Sequence, residues 1–383
     1  MTNKTRVLII DDSPFVCRLL TSHLQSAEDV VVVGTALNGR RGIKLAAELQ
    51  PDVITLDLEM PKMGGFETLQ QIMHDNPTPI VVISGVSRRA ARLSLAAINA
   101  GAVDFVLKYT PGADKEPDAL RQEILAKVKA AASIKVVRSI RPRQARAQVV
   151  NAPQKTYDNS PTAKVVSESV NEATGLAPAA PPKASLLPGG IVVIGASTGG
   201  PVAVRELLDV LPPDFPAAII VVQPMPASFT GARAAQLDNR VALRVKEAET
   251  GDLLVPGQVL VAPGDYHLLL RTTSRVYLNQ APKIQGHRPS IDVTMQSVAQ
   301  VYGMRSKGVV LTGMGGDGSM GLMAIQSKGG ETYAQDAASC VVNGMPQRAI
   351  EQGVVDFVAP PSEIGRLLWE SVPWQRTLNG GRR

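Results

Sequence analysis

Ile191-Val192-Val193-Ile194 runs into Gly195-Ala196-Ser197-Thr198-Gly199-Gly200, and then into Pro201-Val202-Ala203-Val204-Arg205-Glu206-Leu207-Leu208. The reading of this stretch decides the fold of the C-terminal half. An apolar β-branched run, a string of small residues and a helical pattern spell strand, tight turn and helix. A serine in such a turn is lifted above the sheet edge, at the positive end of the following helix. Gly195-x-Ser197-x-Gly199 fits the elbow that presents a nucleophilic serine, which points to ester or amide hydrolysis. The same turn can also be an anion cradle built from backbone N–H groups.

The alternation continues outward on both sides. Ala218–Val222, Val259–Ala262 and Gly308–Thr312 read as further strands. Earlier in the chain, Val7–Ile10, Val30–Gly34, Val53–Leu56, Ile80–Ser84 and Val103–Leu107 alternate with the helical stretches Phe15–Leu24 and Gly42–Leu49. Strands alternating with helices imply βαβ units and parallel sheets covered on both faces. The fold class is therefore α/β, with two doubly wound parallel-sheet domains. Between them, from about Ser133 to Pro188, proline, alanine, serine, threonine and basic residues dominate, as in Pro178-Ala179-Ala180-Pro181-Pro182. That composition cannot bury a core and reads as a flexible linker. The division is then 1–125, a linker over 126–188, and 189–375.

Length and composition agree. At 383 residues the chain is too long for one compact core. Aromatic residues are only 4% of it, so its cores are aliphatic. Two cysteines, Cys17 and Cys340, make no disulfide framework, which favours a reduced, cytoplasmic compartment. The N-terminus is no signal peptide, and no apolar run reaches the roughly 18 residues of a membrane span. The net charge of +6 owes much to Arg138, Arg141, Arg143 and Arg146 in the linker, where a solvated segment explains them better than a nucleic-acid site.

In the N-terminal half, Asp11-Asp12 end the first strand, Asp57 the third, Ser84 the fourth and Lys108 the fifth. In an open parallel sheet these carboxyl ends share one crevice. Three carboxylates together call for a hard cation such as Mg²⁺, and a lysine and a hydroxyl beside them suit a phosphoryl group. The chemistry is attack by a carboxylate on phosphorus. Helix capping accounts for Asp12 alone but not for Asp57, Ser84 and Lys108. Over residues 4–125 this half resembles the receiver domain of two-component response regulators, a flavodoxin-like fold. The resemblance makes Asp57 the phosphoacceptor, gives Asp11 and Asp12 a share in Mg²⁺, makes Ser84 the switch hydroxyl and sets Lys108 on the phosphoryl oxygens. Tyr109 stands where receivers carry proline, so their usual cis peptide is not expected here.

The C-terminal half carries more than its serine turn. His287-Arg288-Pro289-Ser290-Ile291-Asp292-Val293, Leu311-Thr312-Gly313-Met314-Gly315-Gly316-Asp317-Gly318, Ala262-Pro263-Gly264-Asp265-Tyr266-His267-Leu268 and Cys340-Val341-Val342-Asn343-Gly344-Met345-Pro346 are distinctive blocks. With the receiver, they make the chain similar to the chemotaxis response-regulator protein-glutamate methylesterases over nearly its whole length. The resemblance implies a Rossmann-like α/β esterase domain without a cofactor. It also implies demethylation of glutamyl methyl esters on chemoreceptor helices, with deamidation of glutamines in many members. Its partners would be a chemotaxis histidine kinase as phosphodonor and methyl-accepting chemoreceptors as substrate. Ser197 is then the nucleophile, Asp317 the acidic triad member, and Thr198, Met314 and His287 line the site. The Gly199–Gly200 backbone would offer oxyanion donors.

One position departs from that pattern. The family sets its catalytic histidine in a Gln-His-Met-Pro segment, and here the segment is Gln223-Pro224-Met225-Pro226. Proline cannot take the proton of Ser197, and a serine without a base is a poor nucleophile. His23 and His74 belong to the receiver, His267 reads as structural, and the family already has the counterpart of His287 beside its own base. Two readings follow: an esterase of unusual catalysis, or a pseudo-esterase that binds receptors or drains phosphoryl groups. In either, the unphosphorylated receiver is expected to cover the Ser197 crevice and to open on phosphorylation of Asp57.

Overall fold

The computed structural model describes residues 4–108, 117–134, 189–271 and 275–371. The first domain runs β1 (Thr5–Ile10), α1 (Pro14–Gln25), β2 (Val30–Ala36), α2 (Gly39–Leu49), β3 (Val53–Asp57), α3 (Gly65–Asp75), β4 (Ile80–Ser84), α4 (Arg88–Asn99), β5 (Asp104–Leu107) and α5 (Pro117–Ala132). Its five strands lie in the order β2-β1-β3-β4-β5, all parallel. Every residue of β3 and β4 is buried, which is why these strands read as unbroken apolar runs rather than alternating ones. The order reverses between β1 and β3, so Asp11, Asp12 and Asp57 emerge on either side of the switch point.

The second domain follows the same plan. Its elements are β6 (Ile191–Gly195), α6 (Gly200–Leu208), β7 (Ala218–Val222), α7 (Ala227–Asp238), β8 (Arg244–Glu247), β9 (Gln258–Val261), β10 (His267–Leu270), β11 (Val276–Asn279), α8 (Ile291–Tyr302), β12 (Ser306–Val310), α9 (Ser319–Ser327), β13 (Glu331–Gln335), α10 (Gly344–Glu351), β14 (Phe357–Ala359) and α11 (Pro361–Glu370). Seven parallel strands are ordered β14-β13-β12-β6-β7-β9-β8, and β10 and β11 form a separate antiparallel hairpin. Here the switch point lies between β6 and β12. Ser197 leaves one of these strands, and the Thr312–Asp317 loop leaves the other. Gly195 is required where the sheet meets α8: a Cβ there would come within 2.4 Å of the Ile291 side chain.

The domain division needs one correction. The expected boundary at 125/126 falls inside α5, which continues to Ala132 and buries Val128 and Ala131 in the first core. The rest of the linker reading, residues 135–188 with their arginines, and the Tyr109 departure lie outside the described residues. Within the described residues the two domains meet: α4 packs against α6 and α7. Phe105 of β5 stacks on Phe229 of α7, and Gln236 Nε2 donates to the Leu95 carbonyl at 3.0 Å. Among the described residues no helix is long and apolar enough to cross a membrane, and Cys17 and Cys340 are both free.

Candidate functional site

The first crevice is acidic. Carboxylate oxygens of Asp11, Asp12 and Asp57 lie within 4.8 Å of one another. Asp11 and Asp57 are buried, at 0% and 2% exposure, so their charges are costly without a partner. Lys108 Nζ supplies part of it, 2.6 Å from Asp57 Oδ2 and 3.0 Å from Asp11 Oδ2. Burial pushes the Lys108 ammonium down, but the two carboxylates outweigh it and the group titrates above its usual range. Burial likewise holds Asp11 above the ordinary carboxylate range, against the pull of the Ser13 N–H and of Lys108. Three carboxylates face one lysine, and Asp11 Oδ2 has no hydrogen-bond donor aligned on it. A hard divalent cation with oxygen ligands fits that deficit.

Asp12 is not a helix cap. The cap of α1 is Ser13, whose Oγ accepts from Val16 N, while Asp11 Oδ1 accepts from Ser13 N at 2.9 Å. The Ser84 hydroxyl is buried and accepts from Ser94 Oγ at 2.7 Å, a partner on α4 that the sequence pattern did not single out.

The second crevice is organised by the turn after β6. Ala196 N donates to the Val222 carbonyl and Ser197 N to the Thr312 carbonyl, so the turn is stitched to both neighbouring strands. The left-handed residue is Gly199, at φ +79°, and not Ser197. The turn is thus not the elbow in which the serine itself carries the strained backbone. A Cβ at Gly199 would also press on Val341 at 2.6 Å. Gly200 N donates to the Ser197 carbonyl at 2.8 Å, so this amide is spent inside the turn and does not serve as the oxyanion donor expected of it. Ser197 is half-buried and Thr198 buried. The Thr198 side chain lies beside Asp104 of the first domain, whose carboxyl is held above its usual range by burial.

Thr312 braces the opposite wall. Its Oγ1 donates to the Thr198 carbonyl at 2.9 Å and accepts from Val342 N, and its N–H donates to Gln335 Oε1 at 2.8 Å. Gln335 reads as an unremarkable strand-end residue in the sequence, yet it fixes the start of the 312–317 loop. Gly313 lets that loop approach the serine: a Cβ there would stand 2.8 Å from Ser197 Cβ and 2.3 Å from Met345 Sδ. Met314 is exposed at the loop tip.

Asp317 is buried and engaged at the start of α8. It accepts from Ser290 Oγ at 3.0 Å, Ile291 N at 2.9 Å and Asp292 N at 2.9 Å. Asp292 replies by accepting from Gly318 N and Gly321 N at the start of α9. Asp317, just before α9, thus accepts from the first amides of α8, and Asp292 of α8 accepts from the first amides of α9. Burial together with the adjacent Asp317 pushes Asp292 up to about 6, against its two backbone donors.

The histidines have other employment. His267 is 1% exposed, with Nδ1 accepting from Ser290 N and Nε2 donating to the Pro282 carbonyl, so it is a neutral structural ring as expected. His74 pairs with Asp75 on the surface of α3, and His23 lies in α1. His287 sits exposed on the turn where residues 284 and 287 exchange backbone hydrogen bonds. At the position of interest, Pro224 is half-buried between Gln223 and Met225. Gln223 is 3% exposed and its Nε2 reaches 3.5 Å from the Ser197 carbonyl, while its Oε1 is buried without a donor.

Comparison with known proteins is consistent across the chain. The family model described as CheB methylesterase matches residues 192–368, and the one described as response regulator receiver domain matches residues 7–116. A protein-glutamate methylesterase/protein-glutamine glutaminase of Symbiobacterium thermophilum is 42% identical over 368 residues, spanning 96% of this chain and 97% of that protein. A protein of the same name from Pyrococcus horikoshii is 37% identical, spanning 97% and 95%. Among solved structures, the Thermotoga maritima CheB methylesterase catalytic domain aligns with 48% of this chain and 99% of its own, at 44% identity and a TM-score of 0.47. The response regulator domain of Thermotoga maritima CheB aligns with 34% and 98%, at 36% identity and a TM-score of 0.32.

Proposed function

This chain belongs to the CheB methylesterase family with an attached response-regulator receiver domain, and from that membership we propose that Ser197 is the nucleophile with which it hydrolyses glutamyl methyl esters of chemoreceptors. The observation that carries this reading is the meeting of the Ser197 turn and the Thr312–Asp317 loop at the β6/β12 switch point. Ser197 Oγ attacks the ester carbonyl, methanol leaves, and water releases the glutamate from the acyl-enzyme. A glutamine amide would follow the same course with ammonia as the leaving group. Thr198 and Met314 border the crevice, and Asp317 is the acidic member of the constellation, anchored by α8. His287 borders it from the 284–287 turn.

The receiver domain supplies control. Asp57 takes a phosphoryl group from a histidine kinase: a carboxylate oxygen attacks phosphorus and the bond to the donor nitrogen breaks. Asp11, Asp12 and Asp57 would hold Mg²⁺, which when bound offsets the charge gathered at the transferring group. Lys108 holds the phosphoryl oxygens, and Ser84 turns from Ser94 toward them. Because Asp104 and Phe105 reach Thr198 and Phe229, that change is felt beside Ser197. The protein works in the cytoplasm, where both kinase and receptor tails are reached.

A second reading rests on Pro224. With no imidazole at that position the protein is a receptor-binding phosphoprotein of low turnover. The test is methanol release from a methylated receptor fragment by the phosphorylated full chain. Release that disappears in Ser197→Ala supports the esterase. Release unchanged in Ser197→Ala overturns the assignment of the nucleophile, and no release at all leaves the second reading.

A further inference from the structure

Beyond the crevice, the wall formed by the 313–316 loop continues into an exposed surface that extends past the residues assigned to the reaction. Gly344, at the start of α10, lies against the Gly313 carbonyl and the Met314 backbone, and Gly316 lies under the Arg348 side chain. Between the loop and α10 is a depression of about 400 Å³, lined by Gly315, Gly344, Gln347, Arg348, Glu351 and Gln352. The loop and helices that bound it also carry exposed apolar side chains. Met314, Met320 and Met323 are 38%, 49% and 39% exposed, and Ile350 is 40% exposed. Met320 and Met323 share one face of α9, which packs against α10. Methionine is flexible and polarisable, and exposed clusters of it suit partners that present a helix face. In the floor of the depression Glu351 is engaged by Gln347 Nε2 at 2.7 Å, whereas Arg348 has no carboxylate within ion-pair distance among the described residues.

We propose that this groove is where the substrate helix of the chemoreceptor docks, its apolar face on the methionines of α9 and one of its carboxylates on Arg348. The inference rests on the receptor-methylesterase reading and deepens it. Two observations select this occupant. The depression adjoins the Ser197 turn: Gly344, in its lining, packs on the Gly313 carbonyl, and Gly313 packs on Ser197, so a helix lying there can deliver a side chain to the serine. Charge is complementary as well: each ester hydrolysed leaves a glutamate, so the surface that carries such sites is acidic, and a guanidinium with no carboxylate partner among the described residues is suited to recognise one.

The experiment uses the full chain and a fluorescein-labelled helical receptor fragment carrying one glutamyl methyl ester and a glutamate one turn away. Binding is read by anisotropy for wild type, Met320→Lys/Met323→Lys, Arg348→Glu and Arg348→Lys. The expected result is at least tenfold weaker binding for the double variant and for Arg348→Glu, with Arg348→Lys closer to wild type. A fragment with that glutamate changed to lysine should restore binding to Arg348→Glu. Thermal melting and Asp57 phosphorylation should not change in any of them. Binding within twofold of wild type in both the double variant and Arg348→Glu overturns the docking surface while leaving the receptor reading intact. A wild-type dimer that Met320→Lys/Met323→Lys dissociates also overturns it, because the occupant is then a second copy. Failure of wild type to bind the fragment at all counts against the receptor reading itself, and the docking surface goes with it.

Discussion

Phe105 and Phe229 stack face to face across the two domains, with ring centroids 4.7 Å apart and planes 11° from parallel. Phe229 is fully buried, and Lys127 Nζ lies over the Phe105 ring, 5.3 Å from the centroid. Asp104, one residue away on the same strand, lies beside Thr198. The two contacts therefore join the strand that leads into Lys108 to α7 and to the residue after Ser197.

Truncating Phe105 should loosen this joint without unfolding either core. Loss of a buried phenylalanine costs about 3–5 kcal/mol, here drawn largely from the domain contact. We expect Phe105→Ala to speed amide exchange in α4 and α7 and to raise methanol release by the unphosphorylated chain several-fold toward the phosphorylated level. Unchanged exchange in both helices would show that the stack does not hold the domains together.

The reciprocal caps of Asp292 and Asp317 predict a pH effect on stability. Asp292 is held up to about 6, above the roughly 3.9 of an unfolded aspartate. The folded state thus binds the extra proton between these values. Its stabilising contribution is fully present below about 4 and is lost as pH rises through about 6. Asp292→Asn does not titrate, its Oδ1 can still accept from Gly318 and Gly321, and its amide can donate to Asp317. Urea melts should show the variant gaining on wild type between pH 5 and pH 8. A gap that is the same at both pH values refutes the shared-proton account.

Much of this architecture was legible in advance, and the misses have physical causes. Buried parallel strands are continuous Val/Ile runs, so β1, β3, β4, β6 and β7 stood out, and their carboxyl ends marked both crevices. The end of α5 did not, because Ala126-Lys127-Val128-Lys129-Ala130 has the composition of the basic, alanine-rich stretch that follows; only tertiary contact makes Val128 core. Thr312 and Gln335 were hidden for another reason. Their role is to hydrogen-bond backbone from other strands, and such pairing leaves no periodic trace. The spent amide of Gly200 was equally invisible, since a glycine-rich turn does not reveal which N–H closes it.

Phosphorylation should depend on charge balance in the acidic crevice. With Asp57→Asn, transfer from a small phosphodonor should be lost. Asp11→Asn and removal of divalent cations with EDTA should each slow it by at least about tenfold, because Lys108 alone then offsets the incoming charge. Lys108→Met should leave transfer possible but weaken its effect on methanol release. Phosphoryl transfer of unchanged rate in EDTA would rule out the cation site.

Pro224 gives the last prediction. Histidine can adopt the backbone of this proline, and since proline has no N–H, no backbone hydrogen bond is lost on replacement. The position is half-buried, with Gln223 already set beneath the serine turn, so the side chain enters a prepared wall. General bases typically contribute about 10²–10⁴ in rate. Pro224→His should therefore raise methanol release by at least about a hundredfold over wild type, and a new limb near pH ~6.5 should appear in the pH–rate profile. Ser197→Ala in the same background should abolish the gain. A Pro224→His chain that melts like wild type, binds receptor fragment like wild type and turns over no faster would mean that the proton of Ser197 is taken by another route, with a base outside the Gln223–Pro226 segment.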